Sequence, residues 1–289
     1  MSVVWFWYLG WSFTTLALLG NGLVIFLVIS RRIPRTTTNW LIVTLAVADF
    51  CSAITFLPPM FISNFYYEID LSHAGLWYKI CFTFLYCSTA NLCVLTADRF
   101  IAVVKPLKYA VLMEMRSPFL LIGIAWLTPL IFFTLPSVFS YQGNASFTAI
   151  FEINRVVMFQ VIPSIVFVVV TCILIYIAKR LSRQIASLEA QVRYNYDFPK
   201  IDVISTMRHP ERRNAAMTIL IITLFNVTYA GGNYVCYCLL SKSCVVPYPL
   251  YKAIHLMFII NVAANPFAYA FLKQDIKKAL LKLFIYNYS

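Results

Sequence analysis

The sequence predicts an all-α integral membrane protein, in which a bundle of seven transmembrane helices is followed by a short C-terminal amphipathic helix. Of the 289 residues, 61% are hydrophobic and only 12% are charged, and the mean hydropathy is +0.79. Several apolar runs reach the roughly 20 residues that an α-helix needs to cross a bilayer. These runs lack the alternation of apolar and polar residues that transmembrane β-strands show, which excludes a barrel.

Seven apolar runs, numbered here as spans 1 to 7, organise residues 1–289 as a single domain. They lie at residues 3–29, 40–65, 77–104, 118–139, 156–178, 215–240 and 251–272. After span 7, lysines alternate with apolar residues over residues 274–285. This pattern predicts an amphipathic helix on the inner membrane surface.

The distribution of basic residues predicts the orientation. Of the 23 Lys and Arg residues, 19 lie at the end of span 3 or in the segments that follow spans 1, 3, 5 and 7. Because Lys and Arg are enriched in cytoplasmic segments, we expect the N-terminus outside and the C-terminus in the cytoplasm, with the protein in the plasma membrane. The net charge of +12 is thus a topology signal, and the expected partner is the lipid bilayer rather than a nucleic acid.

Spans 1 and 2 each contain one strongly polar residue. Asn21 follows Gly20 among apolar residues of span 1, and Asp49 lies roughly 14 Å into span 2. A carboxylate at that depth is costly, so Asp49 predicts a partner, an ion or a proton. Asn21 by itself fits helix–helix hydrogen bonding as well as it fits a functional role.

Span 3 ends in the pair Asp98-Arg99. On its own, this pair fits an ordinary charge cluster at a membrane end. However, Ser88 and Cys81 lie 11 and 18 residues before Arg99, both close to whole numbers of helical turns. One helical face is therefore predicted to run about 27 Å from the outer side of the bundle to the cytoplasmic surface.

Two features are expected on the outer surface. Asn144 begins an Asn-Ala-Ser sequon between spans 4 and 5, a segment predicted to lie outside, so its glycosylation is expected. One disulfide can form near the outer face, where Cys244 is available to pair with either Cys236 or Cys238.

Spans 6 and 7 each carry residues at positions i, i+4 and i+8, which share one helical face. In span 6 these residues are Phe225, Tyr229 and Asn233, and in span 7 they are Asn261, Asn265 and Tyr269. Glu211 lies 14 residues before Phe225, close to four turns, and is expected at the cytoplasmic end of the span 6 stripe. Pro266 interrupts the backbone hydrogen bonding beside Asn265.

In their order and placement, these motifs resemble the rhodopsin-like family of G-protein-coupled receptors over essentially the whole chain. The matching segments are Gly20-Asn21, Leu45-Ala46-Val47-Ala48-Asp49, Asp98-Arg99-Phe100 with Pro106-Leu107, Trp126, Pro163 and Asn265-Pro266-Phe267-Ala268-Tyr269. Each motif is weak alone. The resemblance implies a receptor, not an enzyme, that binds an extracellular ligand and activates heterotrimeric G proteins.

The resemblance also implies a set of residues for coupling and activation. These are Asp98, Arg99, Glu211, Phe225, Tyr229, Asn265, Pro266 and Tyr269. At rest, Arg99 would pair with Asp98 and Glu211; on activation it would move toward Tyr269 and the G protein. Tyr229 would act as the aromatic toggle of span 6, and the basic loops with the final amphipathic helix would form the docking rim.

A sodium site is implied as well. Its expected ligands are Asp49, Ser88, Asn261 and Asn265, with Asn21 bridging to Asp49. A buried carboxylate among neutral oxygens suits a hard cation. The alternative is a hydrogen-bonded polar cluster without an ion. No other cofactor is expected.

The ligand site implied by the resemblance has eight residues. They are Tyr78, Cys81, Phe82, Arg155, Phe159, Asn233, Tyr251 and His255. Amine receptors of the family have an aspartate where this chain has Cys81, so a biogenic amine is not expected. Arg155 with His255 would suit an anionic group, such as a peptide carboxylate or a lipid acid. Alternatively, Arg155 extends to the outer membrane interface.

The chain departs from the family pattern at three places. Ala74 replaces a cysteine that is usually bridged to the loop after span 4. Tyr229 and Gly231 occupy the Trp and Pro positions of the usual span 6 motif, where Gly231 could supply flexibility. Thr171 replaces a tyrosine that often helps to hold the active arginine. A decoy receptor that does not couple is therefore an alternative. A transporter or channel is less favoured because spans 1–3 and 5–7 show no repeat.

Overall fold

The computed structural model describes residues 4–34, 36–65, 71–105, 109, 118–140, 150, 153–195, 225, 227–232, 234, 238, 245–272 and 274–285. Among these residues there is no strand. The helices are α1 (Val4–Ile29), α2 (Thr37–Phe65), α3 (Leu71–Val104), α4 (Pro118–Ser140), α5 (Ile162–Asn195), α6 (residues 227–232 of the sixth span), α7 (Tyr248–Leu272) and α8 (Gln274–Ile285).

Most helix bounds follow the predicted spans. The bounds of α8 are those predicted, α1 begins one residue late, and α3 begins six residues early. The helix α5 continues 17 residues past the predicted end of span 5. Four described segments are long and apolar enough to cross a membrane, namely Val4–Ile29, Thr37–Pro58, Ile80–Val104 and Ile153–Ile177; a fifth apolar helix, Pro118–Phe133, is shorter.

Neighbouring helices contact one another in pairs. Helix α1 contacts α2 and α7, α2 contacts α3 and α7, and α3 contacts α4 and α5. One apolar cluster, which includes Phe82 and Phe258, fills the half of the bundle that is predicted to face outside, called here the outer half. A second cluster lies at the opposite end, where Ile276 of α8 is fully buried. Because lipid is as apolar as these side chains, close packing and hydrogen bonds hold the helices together.

The glycines of α6 bring this helix close to α7. A Cβ on residue 232 would lie 2.9 Å from Cζ of Phe258, and one on residue 231 would lie 3.1 Å from Cγ1 of Ile254. Both residues belong to the helical stretch 227–232. Gly231 therefore allows close packing of α6 on α7, and the flexibility suggested for it stays a prediction.

A π-helical turn precedes α5. It spans Val157–Val161 and buries Phe159 and Gln160. Pro163 follows two residues later and has no backbone N–H to donate, so the backbone hydrogen-bond ladder is interrupted at this point. Turns of this kind are frequent at functional sites, and here the turn lies directly after Arg155 in the sequence.

Helix α1 ends in a tight turn at Arg31. This residue has φ of 57°, in the left-handed region. The N–H of Arg31 donates to the carbonyl of Val28 at 3.2 Å, and the N–H of Arg32 donates to that of Leu27 at 3.1 Å. This is the Schellman pattern of a helix C-terminus. It returns the Arg32 side chain along the helix, with its guanidinium carbon 5.8 Å from the ring centroid of Phe26.

Candidate functional site

The carboxylate of Asp98 lies near the C-terminal end of α3, which is predicted to face the cytoplasm, and binds three neighbours. Arg99 forms an ion pair with it through Nη2 at 2.9 Å, and the Nε of Arg99 donates to the same oxygen at 3.1 Å. Thr38 of α2 donates its hydroxyl to Asp98 at 3.1 Å, and the hydroxyl of Tyr109 donates at 2.9 Å. Arg99 also donates to the Thr38 hydroxyl. We call these four residues the Asp98 cluster.

Within the Asp98 cluster, the carboxylate of Asp98 is buried, whereas the side chain of Arg99 is partly exposed. The side chain of Asp98 is 1% exposed, whereas that of Arg99 is 45% exposed. Burial raises the pKa of the Tyr109 phenol, and the hydrogen bond to Asp98 acts in the same direction. The phenol therefore stays protonated and keeps donating. Glu211 and the Tyr269 side chain lie outside the described residues.

Thr38 and Tyr109 were not anticipated from the sequence. Each carries a hydroxyl that Asp98 can bind, but both lie outside span 3, so spacing within that span does not point to them. The available signal was chemical: a buried carboxylate needs more than one donor. Because Thr38 lies in the first turn of α2 and Tyr109 follows α3, the contacts depend on how the helices assemble.

The second polar site surrounds Asp49, which is fully buried in α2. The Ser88 hydroxyl donates to one carboxylate oxygen at 2.5 Å, and the amide nitrogen of Asn265 donates to the other at 2.8 Å. Ser88 and Asn265 thus reach Asp49 as the sequence suggested. Asn265 donates through its amide nitrogen and so helps to hold the carboxylate in position; its role as a cation ligand stays a prediction.

Asn21 was expected to bridge to Asp49, but it bonds elsewhere. Its amide nitrogen donates to the carbonyl of Ala17 at 2.9 Å and to that of Val262 at 3.5 Å. In a regular helix the Val262 carbonyl would accept from the N–H of residue 266. Pro266 has no N–H. Asn21 therefore bonds to the carbonyl that the proline leaves without its helical donor.

The oxygen atoms of the residues around Asp49 are suitable ligands for a small cation. The side-chain oxygens of Asn261 and Asn21 are buried and accept no hydrogen bond. Buried polar atoms usually have a partner, and such oxygens call for one. One carboxylate, the Ser88 hydroxyl and a free amide oxygen are the oxygen ligands that hard cations take in proteins.

Tyr229 of α6 contacts both α3 and α7. Its hydroxyl lies 2.6 Å from that of Thr89, which donates to the carbonyl of Leu85 at 3.1 Å. The Tyr229 ring stacks on Phe225 with centroids 4.3 Å apart and meets Phe258 edge-on at 5.4 Å. A movement of Tyr229 would therefore disturb α3 and α7 together.

Arg155 points into the bundle in the outer half. Its guanidinium carbon lies 4.9 Å from the ring centroid of Phe133 and 5.6 Å from that of Tyr86. These rings belong to α4 and α3, so Arg155 does not extend to the lipid interface as the alternative had it. Phe159 stacks beside Tyr86 at 5.2 Å, and the amide nitrogen of Gln160 donates to the Tyr86 hydroxyl at 2.5 Å.

His255 lies at a different wall of the outer half from Arg155. Its ring packs against Phe56 of α2 at 5.5 Å and against Tyr251 at 4.0 Å, and its Nδ1 donates to the Tyr251 carbonyl at 2.8 Å. Phe82 lies 6.3 Å from Phe56. It lies at the same distance from Tyr86, the ring beneath Arg155. Arg155 and His255 therefore contact different rings, which Phe82 connects, and their joint binding of one anionic group stays a prediction.

Two further residues complete the outer half. Cys81 is 6% exposed and donates its thiol to the carbonyl of Thr55, so it lies in the interior as predicted. Lys252 was missed by the sequence reasoning. It is 3% exposed, and its amine lies 4.7 Å from the ring of Phe6 and 4.8 Å from that of Trp7. Aromatic faces attract a cation in this way.

Several predicted residues lie outside the described part. These are Asn144, Glu211 and Asn233, together with the side chains of Tyr78 and Tyr269. Cys238 is disulfide-bonded, in accord with a disulfide near the outer face, and its partner also lies outside the described residues.

A family model described as "7 transmembrane receptor (rhodopsin family)" matches residues 20–269. The chain belongs to this family. The fold expected from the sequence, a seven-helix membrane bundle, is thereby confirmed, as is the resemblance on which it was based. Members of this family are receptors, so the expectation that the chain is not an enzyme is confirmed.

Similar proteins include several named as receptors for amines. The octopamine receptor beta-1R of Drosophila melanogaster is 28% identical over 310 residues, covering 94% of this chain and 60% of that protein. The D(5)-like dopamine receptor of Takifugu rubripes is 31% identical over 60% of this chain and 40% of its own length. Trace amine-associated receptor 8c of Mus musculus is 24% identical over 92% and 81%, respectively. The chain thus spans 60% or less of the octopamine and dopamine receptors that it matches.

Proposed function

We propose that this receptor binds an extracellular ligand and activates heterotrimeric G proteins from the plasma membrane, with its N-terminus outside. The observation that carries the proposal is the Asp98 cluster. It holds a half-exposed Arg99 at the end of α3 through contacts to α2 and to Tyr109. An arginine held this way is available to a cytoplasmic partner once the cluster opens.

Nucleotide exchange on purified G proteins tests the proposal. Arg99→Ala should abolish exchange and leave ligand binding intact, because Arg99 lies about 27 Å from Cys81 in the outer half. Normal exchange by the Arg99→Ala protein would reject the mechanism.

A decoy receptor is the nearest alternative, and one substitution separates the two. If Glu211 restrains Arg99, Glu211→Ala should raise basal signalling several-fold, because surface ion pairs are worth about 0–1 kcal/mol. Basal signalling is measured in cells as the cyclic nucleotide and calcium output without ligand. A decoy would give no output from the parent chain, from Glu211→Ala or with any ligand.

For the ligand, we infer an anionic group held by Arg155. The guanidinium points into the bundle above two aromatic rings. Lys252 adds a second positive charge in the described outer half. The relatives are named for amines, but an ammonium group requires a counter-ion. The Cys81 thiol, which donates to a carbonyl, does not supply one.

A panel of ligands tests this inference. Fatty acids and peptides with a free carboxylate are compared with octopamine and dopamine in a recruitment assay that accepts any G-protein subtype. Carboxylate ligands should activate the parent chain, and Arg155→Gln should lose most of that response. Activation by an amine that survives Arg155→Gln would overturn the inference while leaving the receptor function intact.

We also propose that a sodium ion binds beside Asp49 and favours the resting arrangement. Asp49, Ser88 and Asn261 would hold it, while Asn265 orients the carboxylate. The unpartnered oxygens of Asn261 and Asn21 support the proposal, because a cation or an ordered water would satisfy them.

A further inference from the structure

A buried hydrogen-bond acceptor without a donor lies in the same part of the bundle as Arg155. The side-chain oxygen of Gln160 is buried and accepts no hydrogen bond from the described residues, and the residue as a whole is 5% exposed. Its amide nitrogen is already bound to the Tyr86 hydroxyl. Leaving a buried carbonyl oxygen unpaired is unfavourable, and most such atoms in proteins have a partner. The Gln160 oxygen therefore calls for a donor.

The π-helical turn places Gln160 on the side of the helix that carries Arg155. Within the turn, the N–H of Ile162 donates to the carbonyl of Val157, five residues earlier. Residues five apart are therefore stacked here, as residues four apart are in an α-helix. Arg155 and Gln160 are five apart. Both also contact Tyr86, since the guanidinium carbon of Arg155 lies 5.6 Å from its ring centroid and Gln160 binds its hydroxyl.

Aromatic rings enclose this region on the side of α4. The ring centroid of Phe159 lies 5.2 Å from that of Tyr86 and 5.6 Å from that of Phe132, and Phe133 lies 5.4 Å from Tyr86. Tyr86 and Phe159 are both buried. Hydrogen bonds are electrostatically stronger in such surroundings than in water, and an unpaired acceptor is correspondingly costly. A ligand that binds Arg155 is thus expected to supply the missing donor.

We propose that the site binds a carboxylate whose neighbouring carbon carries an amide N–H, as in an N-acyl amino acid or the C-terminal residue of a peptide. This inference rests on the anionic ligand proposed above. The Arg155 guanidinium would pair with the carboxylate, and the amide N–H would donate to the Gln160 oxygen. A simple fatty acid has no such N–H and would leave that oxygen unpaired. The ammonium group of a free amino acid would lie beside the like charge of Arg155.

Three ligands that differ in one group test the proposal on the purified full chain. N-octanoylglycine has an amide N–H next to its carboxymethyl group, whereas octanoyloxyacetic acid has an ester oxygen there and 4-oxoundecanoic acid has a methylene. Thermal-shift titration gives the three affinities. N-octanoylglycine should bind about tenfold more tightly than the other two, a difference of about 1.4 kcal/mol that is typical of one hydrogen bond. N-acetyltrialanine has the same amide and carboxylate and distinguishes a peptide source from a lipid source.

Variants then assign the preference to one atom. In Gln160→Leu the acceptor is absent, so the three ligands should bind within about twofold of one another. Gln184→Leu removes the same side chain from an exposed position on α5 and should keep the preference for the amide. Arg155→Gln should weaken the binding of all three ligands, because each has the carboxylate.

The outcomes separate this inference from the proposed anionic ligand. Equal affinity of the parent chain for the amide and the methylene compound would overturn the inference, while a loss of both in Arg155→Gln would leave the anionic site in place. A preference that persists in Gln160→Leu would also overturn it. If none of the acids binds the parent chain, the anionic ligand is wrong and this inference falls with it. The comparison of ligands on the parent chain needs no variant, so it decides the matter even if Gln160→Leu does not fold.

Discussion

Gly20 of α1 lies directly against the ring of Pro266 in α7. A Cβ on residue 20 would lie 2.9 Å from both Cβ and Cγ of that proline. The next residue, Asn21, donates to the Val262 carbonyl, which lacks its helical donor because of the same proline. Gly20 and Asn21 of α1 therefore both contact the part of α7 around Pro266. The lack of a side chain at residue 20 makes room for the proline ring, and the Asn21 amide bonds to the carbonyl that the proline leaves without a donor.

Gly20→Ala should destabilise the receptor. The added Cβ meets a rigid ring, and overpacking of this kind typically costs about 1–3 kcal/mol. Replacing glycine by alanine in a helix also stabilises the helix by up to about 1 kcal/mol. The control must therefore be a Gly→Ala change that has this effect without the steric clash. Gly123→Ala is suitable, because a Cβ there meets nothing within 4 Å. Thermal unfolding in detergent should place Gly20→Ala below the parent and Gly123→Ala at or above it; equal behaviour of the two would contradict the contact.

Tyr109→Phe should raise basal signalling. It removes one of the three partners of the Asp98 carboxylate, and a hydrogen bond to a charged group is worth about 1.5–3 kcal/mol. With the Asp98 cluster weakened, Arg99 is released more often, and basal nucleotide exchange should rise several-fold. Tyr176→Phe removes the same hydroxyl from an exposed position on α5 and should leave exchange unchanged. A Tyr109→Phe protein with parental basal exchange would show that the hydroxyl does not restrain Arg99.

Asp49→Asn should remove the effect of sodium on agonist affinity. If the ion binds only the resting arrangement, its loss shifts the equilibrium toward the ion-free state. Agonist affinity measured in sodium chloride and in an equal concentration of an organic cation should then be the same. Asp275→Asn, which changes an exposed carboxylate on α8, should keep the sodium effect. Full sodium dependence in Asp49→Asn would place the ion elsewhere or leave only a polar cluster.

Asn144→Gln should abolish N-glycosylation of the receptor at the cell surface. Asn144 begins a sequon in the segment assigned to the outside, so its modification reports the orientation of the chain. Glycosidase treatment should shift the electrophoretic mobility of the parent and not that of the variant. A shift that persists in Asn144→Gln would contradict the assigned topology.

The sequence predicted those parts of the molecule that depend on one helix or on one motif. The bounds of α8, the contact of Ser88 with Asp49 and the pairing of Arg99 with Asp98 follow from spacing or resemblance. It could not predict contacts that depend on how two helices face each other. Whether Asn21 reaches Asp49 or the Val262 carbonyl is decided by the approach of α1 to α7.

The same limit applies to the outer half. Arg155 was placed in the ligand site by resemblance, but its direction depends on the π-helical turn that follows it. Lys252 was passed over because a lysine near a membrane end usually extends into water. The rings of Phe6 and Trp7, from the first turns of α1, instead enclose it.

The π-helical turn at Val157–Val161 gives the receptor a way to change its ligand without changing a contact residue. The extra residue of such a turn rotates everything before it by about 100° relative to an α-helix. Deleting one codon within the turn would restore the regular helix and turn Arg155 away from Tyr86 and Phe133. A deletion variant screened against carboxylates and amines would measure the effect. Insertion and deletion, rather than substitution, would then be the mutations through which receptors with this turn diverge in the charge they select.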